Sequence, residues 1–401
     1  MKGRNLRAGR RASLAVAIAV LATAAGAGTP AVAAVAGTPQ AACMQTAYVG
    51  SESVALGSFG TAVTPIDTCT NQAGPQIDLG AGESPNAIAI TPNGMTAYVT
   101  YDNIYFTNGE VSPVSTTTNT AGPAIPVGRF PTAIAITPNG ATAYVVGFDA
   151  GTVTAINTKT NSAGPTISAG VAFPAAIAIT PNGATAYVMG VNILDGTAVV
   201  APITTKTDHA GAPIPVGGYP WALAVTPNGA TVYVLSASPE GAGTVTPIST
   251  RTNKAGRPIP VGSYPDAMAM TPNGATVYVA NSSSDTVTPI STRTDKAGRP
   301  IPVGSDPQAV AITPNGATAY VVNTSSDTVT PISTRTNKAE PPIPVGSDAR
   351  TLAITPNGAT VYAVNTGSDT VTPISTRTNR AGPPIPVGPG PGAIAIMTGK
   401  C

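Results

Sequence analysis

The chain is poor in charged and aromatic side chains. Only 9% of its 401 residues are charged and 4% are aromatic, and it has a single histidine, His209, and a single tryptophan, Trp221. Metal centres and nucleophilic catalytic sets draw mainly on imidazole and on clustered acids. The sequence therefore predicts no metal site and no cofactor.

Long apolar runs are absent beyond the N-terminal region. Five basic residues precede an apolar run at 14–27, and small residues follow at 31–36, which is the layout of a secretory signal. We predict that residues 1–36 are a cleaved signal peptide and that the protein is secreted or held at the cell surface. Arg10 and Arg11 leave open a twin-arginine route beside the general secretory one. No later run reaches the ~18 residues of a membrane span, so no transmembrane segment is expected.

Glycine, proline and a repeated tetrapeptide are abundant. The chain has 43 glycines and 41 prolines, but 42% of its residues are hydrophobic, which favours a packed core over disorder. The tetrapeptide Thr-Pro-Asn-Gly recurs every 42 to 46 residues. Its seven copies begin at Thr91, Thr137, Thr180, Thr226, Thr271, Thr313 and Thr355. The sequence is therefore an array of similar structural units.

Each unit predicts four short strands. In the unit at 309–346, two runs that alternate with period two flank Asn315 and Gly316, a pair that tolerates positive φ and favours a hairpin. Pro331 lies inside the third run and predicts a bulge, because proline cannot donate to a strand ladder. The prolines of the fourth run fit an outermost strand.

Four-stranded units of this length indicate an all-β fold, a β-propeller. Eight tyrosine-containing second runs predict eight blades. Residues 46–79 hold the second to fourth runs of a blade, and residues 393–396 hold a lone first run. We predict that these N- and C-terminal fragments pair and close the ring. The domain plan is a signal peptide at 1–36, a short segment at 37–45 and one propeller at 46–401.

The second runs carry a family resemblance. YVAN at 278–281 and YVVN at 320–323, each followed by a Ser-Asp turn and TVTPI, resemble the YVTN β-propeller repeats of surface-layer and other exported prokaryotic proteins. The resemblance implies a binding or structural role. Such propellers are usually described as seven-bladed, so seven blades is the alternative to eight.

The three cysteines are Cys43, Cys69 and Cys401. Aligning the terminal fragments with a complete unit brings Cys43 and Cys401 into the same turn. Because an exported protein can form disulfides, we predict a Cys43–Cys401 bond. Cys69 is then a leftover thiol or an alternative partner.

The predicted turns segregate charge. In a meander, the third-to-fourth turns lie on one rim and hold twelve basic residues: Lys159, Lys206, Arg251, Lys254, Arg257, Arg293, Lys296, Arg299, Arg335, Lys338, Arg377 and Arg380. Thirteen acids fall on the opposite rim. The basic rim, with Arg251, Arg293, Arg335 and Arg377 as candidates, either binds an anionic polymer or is one solvated turn copied repeatedly. Nucleic acid is not expected as a partner, because no aromatics interleave to stack bases.

Ser-Asp pairs occupy the second-to-third turns of three units, at Asp285, Asp327 and Asp369. One carboxylate per turn is too few for calcium, which takes six to eight oxygens. We expect each aspartate to cap its own turn instead.

The segment before each first run is where the copies differ. It borders the mouth of the central channel and gathers apolar and polar side chains, the mixture typical of a ligand pocket. The candidate ligand-binding residues are Phe130, Tyr219, Trp221, Tyr264, Asp266, Gln308 and Arg350. Neutral drift at loop tips is the alternative explanation.

These observations predict an exported, monomeric binding or scaffolding module at the cell envelope, whose partner is an envelope polymer or a surface protein. No catalytic residues assemble from the sequence, so enzymatic activity is not favoured. The alternative is a propeller enzyme, of lyase or lactone hydrolase type, acting at the channel mouth.

Overall fold

The computed structural model describes residues 45–53, 60–83, 85–103, 108–192 and 194–397. Their strands form eight antiparallel sheets, which are the blades of a β-propeller. Blade 1 joins the two ends of the chain, and blades 2 to 8 follow in sequence order. The eight blades predicted from the tyrosine count are therefore confirmed, and the seven-bladed alternative is wrong. Within these ranges, no helix is long and apolar enough to cross a membrane.

Each blade is a meander that runs from an innermost strand to an outer strand. The innermost strands of blades 1 to 8 are Ala393–Ile396, Ala87–Ile90, Pro131–Ile136, Ala172–Ile179, Tyr219–Val225, Pro265–Met270, Pro307–Ile312 and Ala349–Ile354. The second strands are Thr46–Glu52, Thr96–Asp102, Thr142–Gly147, Thr185–Val191, Thr231–Ala237, Thr276–Asn281, Thr318–Asn323 and Thr360–Asn365.

The third and outer strands complete the blades. The third strands are Gly60–Asp67, Gly109–Ser115, Thr152–Asn157, Ala198–Thr204, Ala242–Ser249, Thr286–Ser291, Thr328–Ser333 and Thr370–Ser375. The outer strand of blade 3 is continuous, at Ser162–Ser168. In the other blades it is split into two short strands. These are Gln72–Ala73 and Ile77–Ala81 in blade 1, Thr120–Ala121 and Ile125–Val127 in blade 2, His209–Ala210 and Ile214–Pro215 in blade 4, Lys254–Ala255 and Ile259–Ser263 in blade 5, Lys296–Ala297 and Ile301–Pro302 in blade 6, Lys338–Ala339 and Ile343–Pro344 in blade 7, and Arg380–Ala381 and Ile385–Pro386 in blade 8. Among the described residues, two 3₁₀ turns, Ser282–Ser284 and Thr324–Ser326, connect the second and third strands of blades 6 and 7.

The ring closes in blade 1. The innermost strands pack against one another in order, and that of blade 1 packs between those of blades 8 and 2. Within blade 1, Ala47 pairs with Ile396, and the N–H of Met397 donates to the carbonyl of Thr46 over 3.0 Å. The predicted pairing of the terminal fragments is confirmed. It removes the free edge that an open sheet would present.

The hydrophobic core lies in the seams between blades. Each cluster of buried apolar residues joins two neighbouring blades, including the seam between blades 8 and 1. Period-two alternation explains this arrangement, because successive side chains of a strand point to opposite faces of the blade and both faces meet a neighbour. Burial on both faces requires apolar residues at nearly every position of the second strand.

A ring of tyrosine hydroxyls crosses the same seams. In every blade, the buried tyrosine of the second strand donates to an Asn or Asp side chain in the third-to-outer turn of the next blade, at 2.5 to 2.8 Å. The pairs are Tyr48–Asn119, Tyr98–Asn161, Tyr144–Asp208, Tyr187–Asn253, Tyr233–Asp295, Tyr278–Asn337, Tyr320–Asn379 and Tyr362–Asn71. All eight acceptors have positive φ, which Asn and Asp tolerate best among non-glycine residues.

The Thr-Pro-Asn-Gly hairpins are present, but their turn differs from the prediction. Only the glycine has positive φ, as at Gly316. The side chain of Asn315 instead accepts hydrogen bonds from the hydroxyl of Thr313 and the N–H of Ala317. The turn also stacks on its neighbour, since a Cβ on Gly316 would lie 3.4 Å from Pro272 of the preceding blade.

A bulge lies opposite Pro331, as predicted. Val329 pairs with Ile343 and Ile332 pairs with Ala339, so the outer strand holds one extra residue there. The carbonyl of Pro331 accepts from the N–H of Glu340 in that bulge over 2.8 Å. Because the N–H and C=O of a residue in an antiparallel strand face the same neighbour, the ladder to the second strand loses no bond at this proline.

Candidate functional site

The channel mouth is bordered by the inter-blade turns, which link each outer strand to the next innermost strand. In the turn before blade 7, the N–H of Asp306 donates to Asp285 Oδ1 of blade 6 over 2.9 Å, and its carbonyl accepts from the N–H of Thr324 over 2.9 Å. Asp348 is held in the same way, by Asp327 and Thr366. The backbone of each of these turns is therefore held by hydrogen bonds at both the N–H and the carbonyl of one residue, which we call the pinned residue.

The Ser-Asp pairs thus have a role that differs from the expected one. Asp285, Asp327 and Asp369 were expected to cap their own turns, but each carboxylate accepts a backbone hydrogen bond from a residue 21 positions later, in the next inter-blade turn. Ser284 assists by accepting from the N–H of Ser263 over 2.7 Å. These side chains connect neighbouring blades.

The pinned residue has positive φ in most of these turns. Asp306, Asp348 and Gly390, which tolerate that conformation, hold this place in three of them. Three other turns place an aromatic residue there, and φ is 50° at Phe130, 47° at Phe173 and 47° at Tyr264. The left-handed conformation costs an aromatic residue roughly 1 kcal/mol or more.

Of the aromatic side chains in these turns, Phe130 is half-buried and three others are about half exposed. Phe173 is 52% exposed, Tyr264 is 45% exposed and Tyr219, in the intervening turn, is 51% exposed. Phe148 lies beside Phe173 with ring centroids 5.3 Å apart, and the guanidinium of Arg129 lies 5.3 Å from the ring centroid of Phe130. Four consecutive blades, 3 to 6, therefore present an aromatic ring at this rim. We call this set, Phe130, Phe173, Tyr219 and Tyr264, the aromatic arc.

Four of the candidate residues occupy one structural position. Trp221, Asp266, Gln308 and Arg350 are each the unpaired, bulged residue at the start of an innermost strand, in blades 5 to 8. Since the innermost strands form the inner ring, these side chains lie in sequence around the channel mouth. The sequence predicted their neighbourhood, whereas the shared bulge appears only in the strand register.

Trp221 joins the mouth to the core. Its side chain is partly buried against the seam between blades 5 and 6. Its Nε1 is buried and has no hydrogen-bond partner among the described residues. An unpaired buried donor costs about 1–3 kcal/mol.

The polar side chains at the channel mouth, Asp266, Gln308 and Arg350, interact with different partners. Burial raises the pKa of Asp266 from 3.8 to about 6, with the charge of Asp306 adding to the rise and a hydrogen bond with Ser282 opposing it. Gln308 donates to Asp306 and Arg350 forms an ion pair with Asp348, each over 3.0 Å. Asp266 and Arg350 thus belong to different local networks.

A second carboxyl in this region is perturbed in the same direction. Burial raises the pKa of Asp102 from 3.8 to about 6, although it accepts the N–H of Phe130 over 2.8 Å. That hydrogen bond and the nearby Arg129 lower the pKa, but less than burial raises it. Asp102 therefore anchors one member of the aromatic arc.

The opposite rim carries the predicted basic residues, and we call it the basic rim. All twelve basic side chains of the third-to-outer turns and outer strands are exposed. The hydroxyl of Thr334 in one such turn donates to the carbonyl of Gly316 over 2.5 Å, which places both kinds of turn on the same rim. In blades 5 to 8, the Asn and Asp acceptors of the tyrosine ring lie between these basic residues. Sequence reasoning missed that ring, although tyrosine and Asn or Asp recur in every unit.

Other candidate sites are sparse in the described ranges. No group of three or more His, Cys, Asp and Glu side chains could hold a metal ion there. A cleft of about 420 Å³ lies beside His209, between the outer strand of blade 3 and a turn of blade 4. Cys69 is exposed, whereas Cys43 and Cys401 lie outside the described residues, as does the signal peptide predicted at residues 1–36.

The fold places the chain in the class of eight-bladed β-propellers. No family model and no curated protein matches the sequence. Among solved structures, it is similar to the dihydro-heme d1 dehydrogenase NirN, with a TM-score of 0.69 and 12% identity over 87% of this chain and 74% of that one. AztD from Citrobacter koseri gives a TM-score of 0.64 and 13% identity over 89% and 99%. Hydrazine synthase from Kuenenia stuttgartiensis gives 0.59 and 20% over 73% and 95%. At these identities the similarity concerns the fold alone.

Proposed function

We propose that this propeller is an exported binding or scaffolding module of the cell envelope, related to the YVTN-repeat proteins, and that its ligand contacts the channel mouth. The N-terminal signal pattern supports export. The YVTN-like segments, which form second strands of the propeller, support the relationship.

One observation carries the proposal: two residues of the aromatic arc, Phe173 and Tyr264, are both strained and exposed. The scaffold needs only a residue that tolerates positive φ, because Asp306, Asp348 and Gly390 meet the same requirement. Phe173 and Tyr264 bear the strain while about half of each side chain remains in water. Strain without compensating burial is typical of functional sites.

The chemistry of the mouth indicates the kind of ligand. Aromatic faces stack on flat apolar surfaces, and Asp266 offers an acceptor. Sugar rings combine apolar faces with hydroxyl groups, so an envelope glycan fits this combination.

The binding test uses purified envelope polysaccharide as the probe. Trp221→Ala should weaken binding at least tenfold, because a buried indole at a hot spot contributes a few kcal/mol. Tyr264→Asn should also weaken binding, yet keep or raise the melting temperature, because asparagine tolerates positive φ. Met95→Ala is the matched control, since Met95 is exposed on the basic rim and its place is alanine in other units. Unchanged binding in both mouth variants would refute the site.

A second candidate function is a propeller enzyme of lyase or lactone hydrolase type at the same mouth. The pKa of Asp266, raised to about 6, favours it, because general acids and bases work best with pKa values near the ambient pH. Asp266→Asn would then abolish turnover of a substrate. Retention without turnover in the wild-type protein would contradict the enzyme.

A further inference from the structure

The basic residues of the basic rim are concentrated in one half of the ring. Among the described residues, blades 1 and 2 contribute none, and blades 3 and 4 contribute Lys159 and Lys206. The other ten lie on blades 5 to 8: Arg251, Lys254, Arg257, Arg293, Lys296, Arg299, Arg335, Lys338, Arg377 and Arg380. We call these ten residues the basic arc.

The scaffold does not require this charge. In the turn of blade 7, Asn337 is fixed by its hydrogen bond from Tyr278, whereas Arg335 and Lys338 on either side are exposed. The place of Arg335 is held by Cys69 in blade 1 and Thr117 in blade 2, and both blades keep the same tyrosine bond. Positive charge on blades 5 to 8 is therefore an addition to the fold.

Little negative charge opposes the basic arc. On this rim of blades 5 to 8, Asp295 accepts from the hydroxyl of Tyr233, and Glu340 accepts from the side-chain amide of Asn379. No ion pair involves the arc among the described residues, because the two ion pairs there belong to Arg129 and Arg350. Ten cations on one side of the disc produce a field of a single sign, which attracts polyanions.

The composition of the arc indicates what it binds. Arginine occupies the same place in four consecutive blades, at Arg251, Arg293, Arg335 and Arg377, and the guanidinium fork matches a phosphate bidentately. An arc across four blades suits an extended polymer better than a compact anion. The large exposed aromatic residues of the described chain, Phe173, Tyr219 and Tyr264, lie on the other rim, so bases have no stacking platform here.

We propose that the basic arc binds a flexible, base-free phosphodiester polymer, such as a polyol phosphate of the envelope. This surface is separate from the channel mouth and does not depend on the glycan proposed there. Together the two rims would allow the disc to bridge two polymers.

The test measures the affinity of the full chain for synthetic poly(glycerol phosphate) at several salt concentrations. Arg293→Gln with Arg335→Gln should weaken binding at least tenfold and flatten the dependence of log K on log salt by roughly one to two. The matched control is Lys159→Gln with Lys206→Gln, which removes two charges outside the arc and should change affinity less than twofold. All four residues are exposed, so melting temperatures should stay unchanged.

Three results would overturn the proposal. Equal losses in both double variants would mean that only overall charge matters. Clearly tighter binding of a single-stranded oligonucleotide with the same number of phosphates would refute a base-free ligand, because it would show that the bases add contacts. Full affinity after Arg293→Lys with Arg335→Lys would refute bidentate recognition. Trp221→Ala should leave this affinity unchanged, so failure at the mouth is distinguishable from failure here.

Discussion

The hydroxyl of Tyr362 donates a hydrogen bond to Oδ1 of Asn71 over 2.5 Å, although the two residues lie 291 positions apart in the chain. The same bond recurs in the other seven seams between residues only 59 to 71 positions apart. The Tyr362–Asn71 bond therefore joins the last blade to the first. Together with the strand pairing in blade 1, it makes the propeller a closed ring.

The closing bond should be measurable by a double-mutant cycle. Tyr362→Phe removes the donor, and Asn71→Gly removes the acceptor while allowing positive φ. Each change should lower the free energy of unfolding by about 1 kcal/mol, and their coupling should be about 0.5–1.5 kcal/mol. The measurement is reversible denaturant unfolding. Tyr320→Phe combined with Asn71→Gly is the control and should be additive, because Tyr320 bonds to Asn379. Additivity of the first pair would contradict the bond.

Asp266 should make stability depend on pH. Its pKa is raised to about 6 in the folded protein, against 3.8 for the ordinary group, so its favourable contribution is present below pH 4 and is lost as the pH rises through 6. Asp266→Asn should therefore be more stable than the wild type at pH 7, by about 1 kcal/mol after allowance for partial exposure. The difference should vanish near pH 4.

Thermal unfolding between pH 4 and 7 checks the Asp266 prediction. Asp195→Asn is the control, because Asp195 is exposed and hydrogen bonds with Thr197 lower its pKa. That variant should show no gain in stability at pH 7. A pH-independent effect of Asp266→Asn would show that the carboxyl does not titrate in this range.

The Cys43–Cys401 disulfide stays a prediction, since both cysteines lie outside the described residues. The hydrogen bond between Thr46 and Met397 ends the described pairing only a few residues from each cysteine. A bond there would close a loop of more than 350 residues, with a nominal stabilisation of ~6 kcal/mol in the chain-entropy model. Non-reducing peptide mapping should recover the Cys43–Cys401 peptide and leave Cys69 alkylatable. A bond to Cys69, or three free thiols, would refute the assignment.

The period of the sequence was sufficient to predict most of the fold. Regularly spaced Thr-Pro-Asn-Gly turns, alternating strands and a split unit at the termini predicted a closed propeller of eight blades. The bulge opposite Pro331 was also predictable, because a missing N–H is a local property of the residue. The conformation of the hairpin turns was less predictable, because the Asn315–Gly316 pair fits two kinds of turn. The hydrogen bonds that the side chain of Asn315 accepts favour the turn in which only the glycine has positive φ.

The candidate site was predicted in part. The variable segments before the innermost strands were visible in the sequence, and so were Trp221 and Asp266. Their common bulged position, the burial that raises the pKa of Asp266 and the unpaired Nε1 of Trp221 were not, because each depends on what packs around the residue.

The sequence by itself determined the repeat, the strand pattern and the separation of basic from acidic turns, because these follow from local spacing. Only the tertiary structure decided which residues of neighbouring blades meet. The carboxylate of Asp285 accepts a hydrogen bond from the turn that precedes the next blade, and the hydroxyl of Tyr362 donates to Asn71 near the other end of the chain. The sequence of a unit shows which hydrogen-bond donors and acceptors each blade contains. A hydrogen bond between two blades forms only when the closed ring brings those blades into contact.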